Sequence, residues 1–192
     1  MAGSERSRAE PSPAEAAGLL AEVGRLPART RRLAATKFTR VSLVAWGVAW
    51  VFGYAAVQLL PQPVGLGAFA VLGVGAVTLT RLGAPGELLS GWEAQFRRGW
   101  WVLIGVMPLL GLIVQPTPLP TLLLLLGALW GVALLLFAVT VSDRALGAVA
   151  LTIVAGAAAI HVLAGGWSLL CFGLVGGGAM AILGSSRLLH PA

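Results

Sequence analysis

Six long stretches without a charged side chain constrain this sequence more than any other feature. Each has 16 to 23 mainly apolar residues, close to the roughly 20 residues that a helix needs to cross a bilayer. Of all 192 residues, 58% are hydrophobic and 10% charged, whereas a soluble domain is about 25% charged. We therefore predict an all-α polytopic membrane protein, a bundle of six transmembrane helices at Val41–Leu60, Val64–Thr80, Gly99–Val114, Leu119–Val141, Ala145–Ala164 and Trp167–Gly184.

The distribution of charge predicts the orientation of these helices. The turns at 61–63, 115–118 and 165–166 contain no charged residue, and every Asp, Glu, Lys and Arg lies in the other connecting segments and tails. Because basic loops are retained in the cytoplasm, we expect both termini to be cytoplasmic and the three uncharged turns external. The predicted divisions are a cytoplasmic tail with a basic amphipathic helix (1–40), a six-helix transmembrane domain (41–186) and a short cytoplasmic tail (187–192).

A basic cluster immediately precedes the first span. Such a cluster attracts anionic lipid headgroups by roughly 1 kcal/mol per basic residue. We expect the N-terminal amphipathic helix to lie among the headgroups, with docking of a protein partner as the alternative. Nucleic acid is not an expected partner, because the basic residues of this cluster lie against the bilayer and no aromatic residues are interleaved with them. The predicted headgroup contacts are Arg25, Arg29, Arg31, Arg32, Lys37 and Arg40.

Aromatic residues form a stripe on the first span. Trp46, Trp50 and Tyr54 recur every four residues and share one helical face. Such rings could line a pocket for an apolar or aromatic ligand. The alternative is that they pack against neighbouring helices. The run from Trp46 to Tyr54, preceded by Arg-rich sequence, resembles uncharacterised small multi-span proteins of high-G+C bacteria. The resemblance covers the first span only and implies no activity, but with the abundance of Arg, Ala and Gly it favours a bacterial plasma-membrane protein.

Two further residues complete the predicted ligand-binding set. Pro108 removes a backbone donor within the third span, so it predicts either a static kink or a cavity. His161 is an ionisable residue inside the fifth span, and such residues often mark functional sites, although near the interface a histidine also hydrogen-bonds to water. The expected set is therefore Trp46, Trp50, Tyr54, Pro108 and His161.

Small residues recur four apart on three of the spans. Small side chains allow helix backbones to approach closely, either within one subunit or between subunits. A homo-oligomer and a larger membrane partner both remain open. The predicted packing residues are Ala49, Gly53, Gly127, Gly131, Gly173 and Gly177.

The sequence carries few signals of catalysis. Cys171 is the single cysteine, which excludes an intrachain disulfide and a cysteine-based zinc site. We expect no catalytic residue, metal or cofactor. The predicted function is a non-catalytic regulatory, scaffold or transport-system subunit with a membrane or cytoplasmic protein partner. The alternatives are a small transporter or substrate-capture subunit that binds an apolar or small ligand, and an intramembrane enzyme that uses His161.

Overall fold

The computed structural model describes residue 36 and residues 39–83, 91–114 and 117–190. Of the N-terminal segment 1–40, where an amphipathic helix is predicted, only residues 36, 39 and 40 are described. These described residues form long helices and contain no strand. Five of the helices are long and apolar enough to cross a membrane, which confirms the all-α class and the multi-pass composition. The helices are α1 (Thr39–Leu59), α2 (Gln62–Leu82), α3 (Gly91–Ile113), α4 (Leu119–Thr140), α5 (Arg144–Leu163) and α6 (Gly165–Leu189).

Proline and one aspartate set the starts of three helices. Pro61 precedes α2 and Pro118 precedes α4, and each helix has another proline in its first turn. Proline suits this position because the first N–H groups of a helix have no partner within the helix. By contrast, α5 begins at Asp143, whose Oδ1 accepts a hydrogen bond from the Leu146 N–H at 3.1 Å. Ser142, with φ of 56°, turns the chain between α4 and α5.

The α3 and α6 helices exceed their predicted spans by the largest margins, and α2 extends two residues beyond its predicted span at each end. The α3 helix begins at Gly91, eight residues before Gly99, and continues through Pro108 to Ile113. The α6 helix ends at Leu189, five residues beyond Gly184. Hydropathy marks only the apolar part of a helix, and polar residues extend both of these helices beyond that part. Among the described residues, the five helices long and apolar enough to cross a membrane are α1, α2, α4, α5 and α6.

The α6 helix changes its hydrogen-bonding pattern along its length. A 3-10 turn at Gly165–Trp167 leads into an α-helical segment, Ser168–Phe172. A π-helical segment, Gly173–Gly177, follows, and the α-helix resumes at Gly178–Leu189. The sequence did not predict this interruption.

The core of the bundle lies between α1, α4, α5 and α6. Its most completely buried side chains include Phe172, Leu146, Ile153 and Met180, each at most 1% exposed. The α2 helix is peripheral, since among its residues only Gly65 and Ala76 are buried. The α1 and α2 helices run antiparallel, since Gly83 at the end of α2 lies against Val41 at the start of α1.

Candidate functional site

The aromatic face of α1 points into the bundle and is covered by other aromatic rings. Trp50 and Tyr54 are 4% and 3% exposed. The Phe172 ring from α6 lies 5.5 Å from the Trp50 ring and 5.2 Å from the Tyr54 ring, between centroids. Phe69 from α2 lies 5.1 Å from Tyr54. The protein's own side chains therefore occupy the ring faces that the sequence predicted for a ligand.

The hydroxyl of Tyr54 has a partner inside this cluster. It donates a hydrogen bond to the Leu123 carbonyl oxygen of α4 at 3.3 Å. A buried tyrosine needs such a partner, because an unpaired hydroxyl away from water is costly. Tyr54 thus joins α1 to α4 as well as to α2 and α6.

A second aromatic group lies beside the first and is only half-buried. Trp130, in the middle of α4, stands between Trp46 and Trp100, with centroid distances of 5.1 Å and 4.9 Å. This group joins α1, α3 and α4. Sequence reasoning found Trp46 but not its partners, because the spacing along one helix does not show which helix lies opposite.

His161 does not join the aromatic cluster. The His161 side chain is exposed in the last turn of α5, whereas Trp50 and Tyr54 are buried. The α3 backbone stays helical through Pro108, whose side chain is outside the described set. Of the predicted ligand residues whose side chains are described, Trp46, Trp50 and Tyr54 lie on one face of α1 and His161 lies apart from them.

Thr39, Asp143 and Arg187 form a buried polar group, called the anchor below. One guanidinium nitrogen of Arg187, Nη2, lies 2.6 Å from Oδ2 of Asp143. The other, Nη1, donates to Oγ1 of Thr39, also at 2.6 Å. Arg187 is 9% exposed, and Asp143 and Thr39 are each 5% exposed. The anchor joins the start of α1, the α4–α5 turn and the end of α6.

Sequence reasoning missed the anchor, although it carried one signal. Asp143 is the only acidic residue after Glu93, so an ion pair between two side chains of residues 94–192 must use it. The charge distribution predicts Asp143 and Arg187 at the cytoplasmic surface, whereas the structure buries them against each other. Removing one member of a buried pair leaves the other charge uncompensated, at a cost of about 3–5 kcal/mol.

Close contacts between α1 and α6 depend on glycine. A Cβ on Gly177 would lie 2.7 Å from the Gly47 carbonyl oxygen and 2.9 Å from the Val51 nitrogen, both on α1. A Cβ on Gly173 would lie 3.0 Å from the carbonyl oxygen of Trp50. We call this glycine-lined contact the α1–α6 seam. Its backbones are too close for any side chain larger than hydrogen.

The other predicted small residues also lie against neighbouring helices of the same chain. Gly127 contacts the Phe172 ring and Gly53 contacts the Phe69 ring. A Cβ on Gly131 would lie 2.8 Å from Cγ2 of Ile153 on α5. Ala49 is 3% exposed. The structure thus gives each of these residues an internal packing role, whatever further contacts a second subunit makes.

The two ends of the bundle differ in charge. The charged residues whose side chains are described all lie at the end that carries the anchor: Arg40, Arg81, Asp143, Arg144 and Arg187. At the opposite end, Gln58 donates from Nε2 to the Gly166 carbonyl oxygen at 2.7 Å, which joins α1 to the α5–α6 turn.

Of the predicted headgroup contacts, only Arg40 is described, and its side chain is half-buried. Within the described residues, its Nε has no hydrogen-bond partner. The others lie outside the described residues: Arg25, Arg29, Arg31, Arg32 and Lys37.

The described part of the chain contains no group of three or more His, Cys, Asp and Glu residues that could hold a metal ion. Cys171 is a half-buried free thiol. Comparisons with protein-family models, with curated proteins and with solved structures found no match to this chain.

Proposed function

We propose that this chain is a non-catalytic subunit of a bacterial plasma-membrane assembly, with a regulatory, scaffold or transport-system role. The observation that carries the proposal is the filled interior. Phe172 and Phe69 cover the faces of Trp50 and Tyr54 that a ligand would otherwise use. A bundle whose interior is occupied by its own rings acts through its outer surface, on lipid and on protein partners.

The charge distribution indicates which surface a soluble partner would use. Arg81 and Arg144 are exposed at the same end of the bundle as the anchor. The positive-inside rule assigns this end to the cytoplasm, with six spans and both termini inside. There, exposed arginines attract anionic lipid headgroups and acidic protein surfaces.

Purification in mild detergent after chemical cross-linking in the native membrane tests the proposal. We expect a protein partner in fixed stoichiometry, and static light scattering separates a different protein from a second copy of this chain. Replacing both Arg81 and Arg144 with Glu should weaken association with a cytoplasmic partner. A matched Phe52→Ala variant, altered at a 60% exposed apolar position, should retain it. A monomer without any partner would contradict the proposal.

A small substrate-capture subunit is the second candidate, and one observation favours it. Trp46, Trp130 and Trp100 pack against one another with tilted rings and are only half-buried, so part of this aromatic surface remains uncovered. Thermal stabilisation of the purified protein by one small apolar ligand would support this candidate. The stabilisation should disappear in Trp130→Ala and persist in Phe52→Ala.

A further inference from the structure

The π segment of α6, Gly173–Gly177, fixes how the last turns of the helix are oriented. In a π-helix each N–H group bonds to the carbonyl five residues earlier instead of four. The segment therefore contains one residue more than a continuous α-helix would need. One residue of α-helix corresponds to a rotation of about 100° and a rise of about 1.5 Å. Conversion of the segment to α geometry would turn Gly178–Leu189 by about that angle.

The present orientation places three residues of the last turns inside the bundle. Met180 is 1% exposed. A Cβ on Gly184 would lie 2.7 Å from the Val44 nitrogen of α1, and Arg187 reaches Asp143. Ile182, on another face, is 73% exposed. A rotation of about 100° would carry Arg187 away from Asp143, so the anchor and the π segment depend on each other.

The two halves of α6 are held by different contacts. Phe172, just before the π segment, is 0% exposed within the aromatic cluster. Below the π segment, Arg187 is held by the anchor, and Gly184 lies against the backbone of α1 at Val44. Between them lie Gly176, Gly177 and Gly178 in succession, and glycine permits backbone changes that other residues resist. A Cβ on Gly178 would meet nothing within 4 Å, so this position is not packed closely against another helix.

We propose that the π segment is a register switch, and that the anchor holds it in the π setting. When the Arg187–Asp143 contact is released, the segment takes α geometry, and Gly178–Leu189 rotates by about 100° relative to Ser168–Phe172. This half also moves away from α1, because Gly184 no longer faces Val44. The half that precedes the switch stays in place, because Phe172 keeps it in the aromatic cluster. Arg187 then leaves the interior, and the surface at the charged end of the bundle changes.

Double electron–electron resonance on the full chain tests this switch in a Cys171→Ser background. One spin label replaces Ser186, below the switch, and is paired in turn with a label at Leu82 or at Val139. All three positions are exposed. A helix with side chains is about 10–12 Å wide, so a rotation of about 100° moves the label by about 8 Å. Two reference positions ensure that at least one distance changes.

The releasing variant is Asp143→Asn, which removes the charge but keeps an oxygen to cap α5. We expect a second discrete distance from Ser186 in this variant. A label pair above the switch, at Val64 and Trp167, should keep its single distance. The matched control is Arg144→Gln, which removes a neighbouring exposed charge and should leave every distance unchanged.

Three outcomes would overturn the proposal. These are unchanged Ser186 distances, a broad continuum that indicates a frayed helix end, and an equal change in the Val64–Trp167 pair. If Asp143→Asn does not fold, Thr39→Val replaces it, because this variant removes one hydrogen bond to Arg187 and keeps the ion pair. A smaller population at the same second distance is then expected, and a single unchanged distance would refute the switch.

Discussion

Alanine at Gly177 should leave the protein less stable than alanine at the adjacent Gly178. Gly177 and Gly178 have nearly the same helical backbone angles, φ −66° and ψ −42° against φ −60° and ψ −46°. Neither backbone resists alanine. Their surroundings differ, because Gly177 lies in the α1–α6 seam while a Cβ on Gly178 meets nothing within 4 Å. The pair therefore isolates interhelical packing from helix propensity.

The magnitude follows from the contacts. A Cβ on Gly177 would lie 2.7 Å from the Gly47 carbonyl oxygen, where ordinary contact begins near 3.4 Å. The opposing atoms belong to backbone, so α1 and α6 must separate, and overpacking of this kind costs about 1–3 kcal/mol. Alanine in place of glycine within a helix gains about 0.5–1 kcal/mol. We expect Gly178→Ala to be neutral or stabilising and Gly177→Ala to be less stable by about 1–3 kcal/mol than Gly178→Ala.

Reversible unfolding in mixed detergent micelles, titrated with sodium dodecyl sulfate and followed by circular dichroism, measures this difference. Gly47→Ala supplies a second test from the opposite side of the seam, since its Cβ would lie 2.6 Å from the Gly177 carbonyl oxygen. The double variant should lose less than the sum of the single losses, because both changes separate the same helices. Equal stability of Gly177→Ala and Gly178→Ala would refute the close approach of α1 and α6.

Three further variants test the anchor and the aromatic cluster by the same unfolding assay. Arg187→Ala should lower the free energy of unfolding by about 3–5 kcal/mol, because it leaves Asp143 buried without a counter-charge. The control, Arg144→Gln, should change this free energy by no more than about 0.5 kcal/mol. Equal losses of stability in the two variants would mean that the Arg187–Asp143 pair is not buried. Trp50→Ala should cost about 3 kcal/mol in lost packing, while Phe52→Ala, at a 60% exposed position, should cost much less. Tyr54→Phe should cost about 1 kcal/mol for its hydrogen bond to Leu123, and a neutral result would place that hydroxyl in contact with water.

Helix positions could be predicted from sequence because each span needs an uninterrupted apolar length, which is a local property. The predicted start of the fourth span, Leu119, is the start of α4 in the structure. The extension of α6 from Gly184 to Leu189 could not be predicted, because an arginine at the end of an apolar span is typical of a solvated tail. The burial of Arg187 depends on Thr39, which is 148 positions away in sequence.

The candidate site was less predictable than the helices for the same reason. The spacing of Trp46, Trp50 and Tyr54 correctly placed them on one face, but a single helix does not specify its neighbours. The side chains that cover this face come from α2, α4 and α6. The π segment also has no sequence signature beyond its glycines, which equally suit close packing in a regular helix.

The central claim, a membrane subunit with its charged end in the cytoplasm, is tested most directly by cysteine labelling of the full chain in intact cells. In a Cys171→Ser background, single cysteines replace Gln62, at the start of α2 beside the uncharged turn, or Arg144, at the charged end; both positions are exposed. A membrane-impermeant maleimide should label Gln62→Cys in intact cells and Arg144→Cys only after permeabilisation. The reverse pattern, or labelling of both positions in intact cells, would contradict the account.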